Sequence, residues 1–251
     1  MDDYSYLGSG KIYVREYAAN EALVEVGNCS ALNLVPQEDV KTLLNYTEPG
    51  GGTQNEVTRS NGVELSYTFH DFSPGNLVRA LRGGSAAVAS GTVTEEEAAA
   101  YAGGFVLLAK VPDTDSTITV KDEATGLVTY TAGTDYEVRD GGIFILAGTS
   151  IPAPVSGAAN ILVTYTAKAS TKVQALVESD KQYEFVFVGL NEARSGKVAR
   201  IQCFRVNHGV MTQFAAIGQE HGAGEVSGKL MIDTTRTGVG ESKYFTVELE
   251  D

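Results

Sequence analysis

Val63-Glu-Leu-Ser-Tyr-Thr-Phe69 alternates apolar and polar residues without a break. Successive side chains of an extended chain point to opposite sides, so Val63, Leu65, Tyr67 and Phe69 share one face and Glu64, Ser66 and Thr68 the other. A helix would scatter the same four apolar residues around its circumference. The segment therefore reads as a half-buried strand. Upstream, residues 11–15, 22–26 and 30–35 carry shorter runs of the same kind, with Gly27-Asn28 as a turn-like step. Downstream, residues 182–188, 197–206, 225–233 and 243–249 repeat the pattern, separated by turn-forming residues at 191–196, 207–209 and 234–240. This spacing predicts an all-β chain with antiparallel pairing.

Two segments break the rhythm. Asp71 to Gly83 has the marks of one short helix: Ser73 as its cap, Pro74 in the first helical position and Gly83-Gly84 as the stop. Leu77, Ala80 and Leu81 would face a sheet from it. Residues 94–101 (Thr-Glu-Glu-Glu-Ala-Ala-Ala-Tyr) favour a helix or a single exposed turn. Residues 85–168 differ in composition, opening with an Ala/Gly/Ser stretch and holding no Cys, His or Met. Short strands at 105–110, 117–122, 128–130, 136–139, 143–146 and 161–166, with regular turns, predict a small β-sandwich or β-rich insertion. Neither flank has strands enough for a closed core. Residues 1–84 and 169–251 are thus expected to form one discontinuous domain interrupted by 85–168. Residues 45–62 read as a long, polar, glycine-rich loop, either a solvated loop or an arm that orders against a neighbouring molecule.

The 251 residues hold 19 basic and 32 acidic side chains, a net charge of −13. That balance argues against a protein that grips nucleic acid by its phosphates. No basic amphipathic stretch and no apolar run long enough to span a bilayer appear, so no membrane role is expected. Cys29 and Cys203 form no disulfide framework or zinc pattern, which suits a reducing cytosol. His70, His208 and His221 lack metal-ligand spacing, and Asp113 and Asp115 lack the rest of a calcium loop. The glycines at 50–52 and 218–224 match no phosphate-binding loop, and no nucleophile elbow occurs. The expectation is a protein that is not an enzyme and carries no cofactor or metal. Lys197, Arg200 and Arg205 make a basic strand, read as a row at a subunit interface or on the surface.

Taken in order, several pieces resemble the major tail (tail tube) proteins of long, non-contractile-tailed bacteriophages. They are Gly10-Lys-Ile-Tyr-Val14, Ala22-Leu-Val-Glu-Val-Gly-Asn28, Leu32-Asn-Leu34, Val40 and the loop from Tyr46 to Gly52. Glu64 to Phe72 then runs into Asn76-Leu-Val-Arg-Ala-Leu-Arg-Gly83, and Glu184 to Asn191, Phe204-Arg-Val206, Gly228 to Asp233 and Gly238 to Phe245 complete the set. The resemblance covers the two flanks and is one of order and texture.

It implies an antiparallel β-sandwich with one short helix, six copies of which pair strands into a ring with a continuous β-barrel. Rings would stack into a tube that conducts genomic DNA without binding it specifically. The implied partners are other copies of the chain, a tape measure protein, a tail tip initiator and a tail terminator. The implied location is the virion tail, assembled in the host cytoplasm. The insertion would be immunoglobulin-like and face outward. Tyr46, Pro49, Gly50, Gly51, Gly52, Asn55, Glu56 and Arg59 would form the ring-stacking loop. Glu64, Ser66 and Glu184 would line an electronegative lumen, and Lys197, Arg200 and Arg205 would sit between subunits. The competing reading is a β-sandwich adhesin or carbohydrate-binding module, which the lack of any Trp disfavours.

Overall fold

A computed structural model describes residues 4–179 and 181–250. Among them, 51% are strand and 5% helix. In chain order the elements begin with β1 (Gly8–Glu16), β2 (Val24–Glu25), β3 (Cys29–Leu44), β4 (Thr53–Phe69), α1 (Pro74–Ala80), β5 (Gly84–Val88) and β6 (Gly91–Ala98). They continue with β7 (Phe105–Leu107), β8 (Thr119–Asp122), β9 (Thr129–Tyr130), β10 (Tyr136–Arg139), β11 (Gly142–Ile145), β12 (Ile161–Ala167) and β13 (Ser170–Gln174). The last four are β14 (Gln182–Asn191), β15 (Lys197–Met211), β16 (Gly224–Leu230) and β17 (Phe245–Leu249). The chain divides into two compact units, Met1–Gly84 with Val173–Asp251, and Ser85–Lys172, so the second boundary falls four residues beyond 168.

The discontinuous unit is built on one antiparallel sheet in the order β2-β1-β14-β15-β16-β4-β3, with β17 also paired to β15. Strands from the two flanks alternate in it: β1 pairs with β14 from Gly8↔Asn191 to Glu16↔Tyr183, and β16 pairs with β4. Val63, Leu65, Tyr67 and Phe69 are all buried and meet Ile12, Val14, Phe185, Cys203, Val206 and Leu230 in the core. Each such side chain contributes about 1.5–3 kcal/mol through its removal from water. Around Tyr67 the core is aromatic: Phe69, Phe185 and His208 pack against its ring at centroid distances of 5.4–6.1 Å.

α1 forms as its sequence predicts at the N-terminus, where Ser73 Oγ accepts from Asn76 N at 3.3 Å and Pro74 opens the first turn. Its end differs. Arg82, not a glycine, takes the left-handed conformation (φ 46°), and Gly83 is required instead because a Cβ there would sit 2.4 Å from Gln174 O. Asn76 is buried in place of an apolar residue. Its amide donates to Val26 O (2.6 Å) and Asp71 O (2.7 Å), tying the helix to the chain leaving β2.

The inserted unit packs a four-stranded sheet, β6-β12-β8-β9, and a three-stranded sheet, β10-β11-β7, around a shared core that includes Val120, Ile143, Ile145, Ile161, Val163 and Tyr165. Two expectations are corrected here. Seven strands in two sheets match an immunoglobulin domain in number, but the strand order does not: the first strand pairs with the last and the last with the third. Residues 94–101 form neither helix nor turn, since most of them lie in β6, paired with β12. The ladder outweighs the helix propensity of Glu and Ala. Glu95 is accommodated at an irregularity with φ 52°, and Glu96 accepts from Ala109 N (2.8 Å) and Tyr165 OH (2.7 Å).

Asp135 anchors the turn region of this unit. Its buried carboxylate accepts from Thr131 N, Ser150 N and Ser150 Oγ at 2.8–2.9 Å, and those donors hold its pKa below the ordinary carboxylate value. Asp135→Ala is expected to cost about 3 kcal/mol, since bonds to a charged acceptor contribute roughly 1.5–3 kcal/mol each and the freed donors partly rehydrate. Urea unfolding at pH 7 measures this. Because the folded pKa is depressed, the contribution is full at neutral pH and fades in acid below the unfolded value near 3.8.

The two chain passages between the units, β5 and β13, pair with each other as a separate two-stranded ribbon.

Candidate assembly surface

The expected loop at 45–62 is mostly strand. β3 and β4 form one hairpin, paired from Cys29↔Phe69 to Leu44↔Thr53 with shifts of register along it, and the turn is confined to 45–52. Asn45 N donates to Gly52 O (2.7 Å), and Asn45 Oδ1 accepts from Thr47 N (2.9 Å) to brace the turn. Asn61-Gly62, a turn signal in sequence, is a bulge. Gln37 pairs with Gly62 and Glu38 with Ser60, so Asn61 is left over and Gly62 adopts φ +101°. Pro36 lies opposite Val63 at the same point. It is tolerated because β3 has no second neighbour among the described residues, so its missing N–H breaks no ladder.

Beyond that bulge the hairpin has no layer beneath it. Every residue from 51 to 61 is exposed, and so are Val40, Leu43, Leu44 and Tyr46. Alternation places Val40 and Leu44 on one side of the ribbon, and Leu43 and Val57 on the other. A two-stranded ribbon with no third strand and no packed face is marginal in water. Covering these aliphatic groups would recover about 1–2 kcal/mol each. The hairpin is therefore an arm with exposed aliphatic side chains on both of its sides.

The predicted stacking residues come together on this arm. Tyr46, Pro49, Gly50, Gly51 and Gly52 make its tip, while Asn55, Glu56 and Arg59 lie on its β4 strand opposite Leu43, Thr42 and Asp39. Glu64 is exposed between Val35 and Lys229, and Ser66 is half-buried beside Asn33.

One other expected role is corrected. Glu184 is not a free lumen acid: it is buried, paired with Arg15 at 2.6 Å and bonded by Gln202 at 2.7 Å. Residues of the segment 233–241 line, with Glu184, an open polar cavity of about 530 Å³. Arg205 is half-buried and donates to Gln182 Oε1 (2.6 Å) and Ile232 O (3.2 Å). Arg200 is exposed and paired with Glu248 of β17 at 2.5 Å. Lys197 is half-buried opposite Asn191.

One surface was not anticipated. The core face of β14, β15 and β17 continues past its cover, through the cross-strand sets Phe187–Ile201–Val247 and Gly189–Ala199–Leu249. Val247 and Leu249 are exposed, and with Tyr4 and Tyr6 they border an apolar groove of about 320 Å³. The alternation of 245–249 was readable, but which end of a face lies uncovered depends on where the opposing layer stops.

The histidines and cysteines are dispersed. His70 bonds Gly222 O and Ser30 Oγ, His208 is buried, and His221 is exposed. Burial pushes the Cys29 thiol up to about 11 and the Cys203 thiol up to about 12, so both stay protonated at neutral pH. Among the described residues, no cluster of three or more His, Cys, Asp or Glu could hold a metal ion. None of their helices is long and apolar enough to cross a membrane.

The family described as "Protein of unknown function UCP028589" matches residues 5–248. The chain belongs to this family. The span matched to UCP028589 starts ahead of β1 and ends within β17, so it takes in the arm and both units. No curated protein matches the chain.

Proposed function

We propose that this chain is the repeating subunit of a hollow protein tube, of the kind that phage tails use to conduct DNA. The carrying observation is the arm: two strands with aliphatic side chains on both sides and no covering layer in their own molecule. A second copy supplies that cover. The unpaired edge of β3 offers sixteen residues of backbone for pairing with a neighbour, and edges of this length are otherwise an aggregation hazard. A ring of copies would remove such edges. Ring-on-ring contact through the arm joins two different surfaces and so propagates into a filament.

In this reading six copies form each ring, as the resemblance to tail tube proteins implies. The surplus of acids keeps DNA from adhering to the bore. Glu64 and Ser66 remain the acidic and polar candidates for that surface. A tape measure protein, a tip initiator and a terminator would set the tube's length and ends. The subunit acts in the virion tail after assembly in the host cytoplasm, with no catalytic role.

Negative-stain electron microscopy with light scattering on concentrated protein, alone and mixed with tail initiator proteins, tests this. Rings or tubes are expected. A protein that stays monomeric in every mixture overturns the reading. The inserted unit is assigned to the tube's exterior, so deleting residues 86–167 with a short linker is expected to leave tubes intact. Loss of all assembly in that variant, with the remaining unit folded, would refute the placement.

A further inference from the structure

The apolar groove at the end of β14, β15 and β17 has fixed walls. On one side the N-terminal segment is pinned to the end of β14. Leu7 N donates to Asn191 Oδ1 (3.0 Å), Asn191 Nδ2 donates to Ser5 O (3.0 Å), and Glu192 N donates to Leu7 O (2.8 Å). The Arg194 guanidinium lies over the ring of Tyr4, 4.8 Å from its centroid. On the other side Glu250 N donates to Val198 O (2.9 Å) and Glu250 Oε2 accepts from Val198 N (2.8 Å), which holds the end of β17 against β15. Between these walls Tyr4, Tyr6, Val247 and Leu249 keep half or more of their surface exposed. A contiguous apolar surface held open in this way is a preformed seat for another surface.

Reach, surface and charge identify its occupant. Cys29 to Leu32 of β3 line a neighbouring cavity with Gly10 and Ile12, and Tyr6 and Ile201 border both cavities. The groove therefore lies at the Cys29 end of the β3–β4 hairpin. The arm leaves from the other end, beyond Gln37↔Gly62. At about 3.3 Å per residue, Leu44 is roughly 40 Å along the hairpin from Ala31. A chain's own arm is thus out of reach of its own groove, whereas a copy placed in line at the arm's end presents its groove to it.

The two surfaces also match. Val40, Leu43, Leu44 and Val57 of the arm are exposed, as are Val247 and Leu249 of the groove. The groove carries Arg194 and Lys197 against one acid, Glu250. From Glu38 to Ser60 the arm carries Glu38, Asp39, Glu48 and Glu56 against Lys41 and Arg59. A net-positive groove facing a net-negative arm favours this pairing over groove on groove or arm on arm.

We infer that the groove is the seat of the β3–β4 arm of a second copy. The inference rests on the tube reading of the arm as an interface and adds the surface that receives it. Arm and groove are different surfaces, so each copy both gives and receives, and the contact propagates rather than closing on a pair.

Two variants of the chain test this. Leu249→Lys keeps the arm and puts a charge in the groove, while a chain lacking residues 40–58 keeps the groove and loses the arm. Leu249 is exposed, so its substitution is expected to leave the urea midpoint of the subunit nearly unchanged. The concentration needed for assembly is expected to rise at least ~100-fold, read by sedimentation and electron microscopy. Tyr4→Ala, at the other wall and outside every strand, is expected to act in the same direction by about 10-fold, which covers the case of a Leu249→Lys chain that fails to fold. Mixed together, Leu249→Lys and the armless chain are expected to form finite complexes that hold both, because one supplies the arm and the other the groove. If the unaltered chain assembles and the groove variants assemble equally well, or if the mixture gives no joint complex, the groove assignment is overturned and the tube reading stands. An unaltered chain that never assembles overturns both.

Discussion

Excision of residues 40–58, with Asp39 joined to Arg59 through an Asn-Gly turn, is expected to yield a folded protein that no longer assembles. Asp39 and Arg59 are already cross-strand partners, so a two-residue turn closes the shortened hairpin without shifting its register. The bulge at Asn61-Gly62 and every core residue of β4 remain. Residues 51–58 are exposed, so their removal leaves the melting temperature of the discontinuous unit nearly unchanged. Assembly should suffer much more. Val40, Leu43, Leu44, Tyr46 and Val57 all leave at once. At about 1–2 kcal/mol each, even partial burial in a neighbour makes their loss worth at least ~100-fold in the concentration needed for tubes. Sedimentation and electron microscopy read this out. Persistent tubes would remove the arm from the interface, and an unfolded product would make it part of the subunit's own stability. Val40→Lys and Val57→Lys, on opposite sides of the ribbon, then separate the two faces. A one-sided effect would show that only one face is covered.

The second large effect concerns acid. His208 is buried among Tyr67, Tyr183 and Phe185, with Arg79, Arg82, Glu178 and Lys181 as the nearby charged groups. Burial, with the positive charge of Arg79 and Arg82, pushes the imidazole from 6.5 down to about 3. The unfolded chain therefore takes up a proton near pH 6.5 that the folded chain refuses until far lower pH. Stability from this group is complete above pH 6.5 and is lost as pH falls toward 3. At pH 4 the loss is roughly 3 kcal/mol, at about 1.36 kcal/mol per pH unit. His208→Gln keeps an acceptor for the Tyr67 hydroxyl but cannot titrate. It is expected to be the less stable protein at pH 7 and to close the gap by pH 4.5. Urea unfolding at both values measures the difference, and parallel losses in the two proteins would refute the assignment.

What could be read from the chain follows from where burial leaves a trace. Residues 63–69 betray themselves because one side of β4 is buried, and α1 does so because Ser73 and Pro74 act locally. The arm left no such trace. Residues 53–60 have no buried face in their own molecule, so no selection for alternation marks them as strand, and Asn61-Gly62 reads as a turn where it is a bulge. The misreading of 45–62 and the reason to regard it as an interface thus have one cause. Glu184 failed differently. Its strand is where the alternation puts it, but the Arg15 that pairs with its carboxylate comes from 169 residues away in sequence, and no local pattern announces that contact. Residues 94–101 show propensity yielding to a ladder formed with β12, more than sixty residues on. Asn76 escaped notice because a buried amide is recognisable only once the carbonyls of Val26 and Asp71 are in place.

The ribbon of β5 and β13 has a practical corollary. Because Gly84–Val88 and Ser170–Gln174 are hydrogen-bonded neighbours, the stretch between them starts and finishes about 5 Å apart, as adjacent strands must. Such a neck is a ready splice point. A foreign antigen or enzyme whose own termini are close could be grafted between Val88 and Ser170 without stretching the host fold.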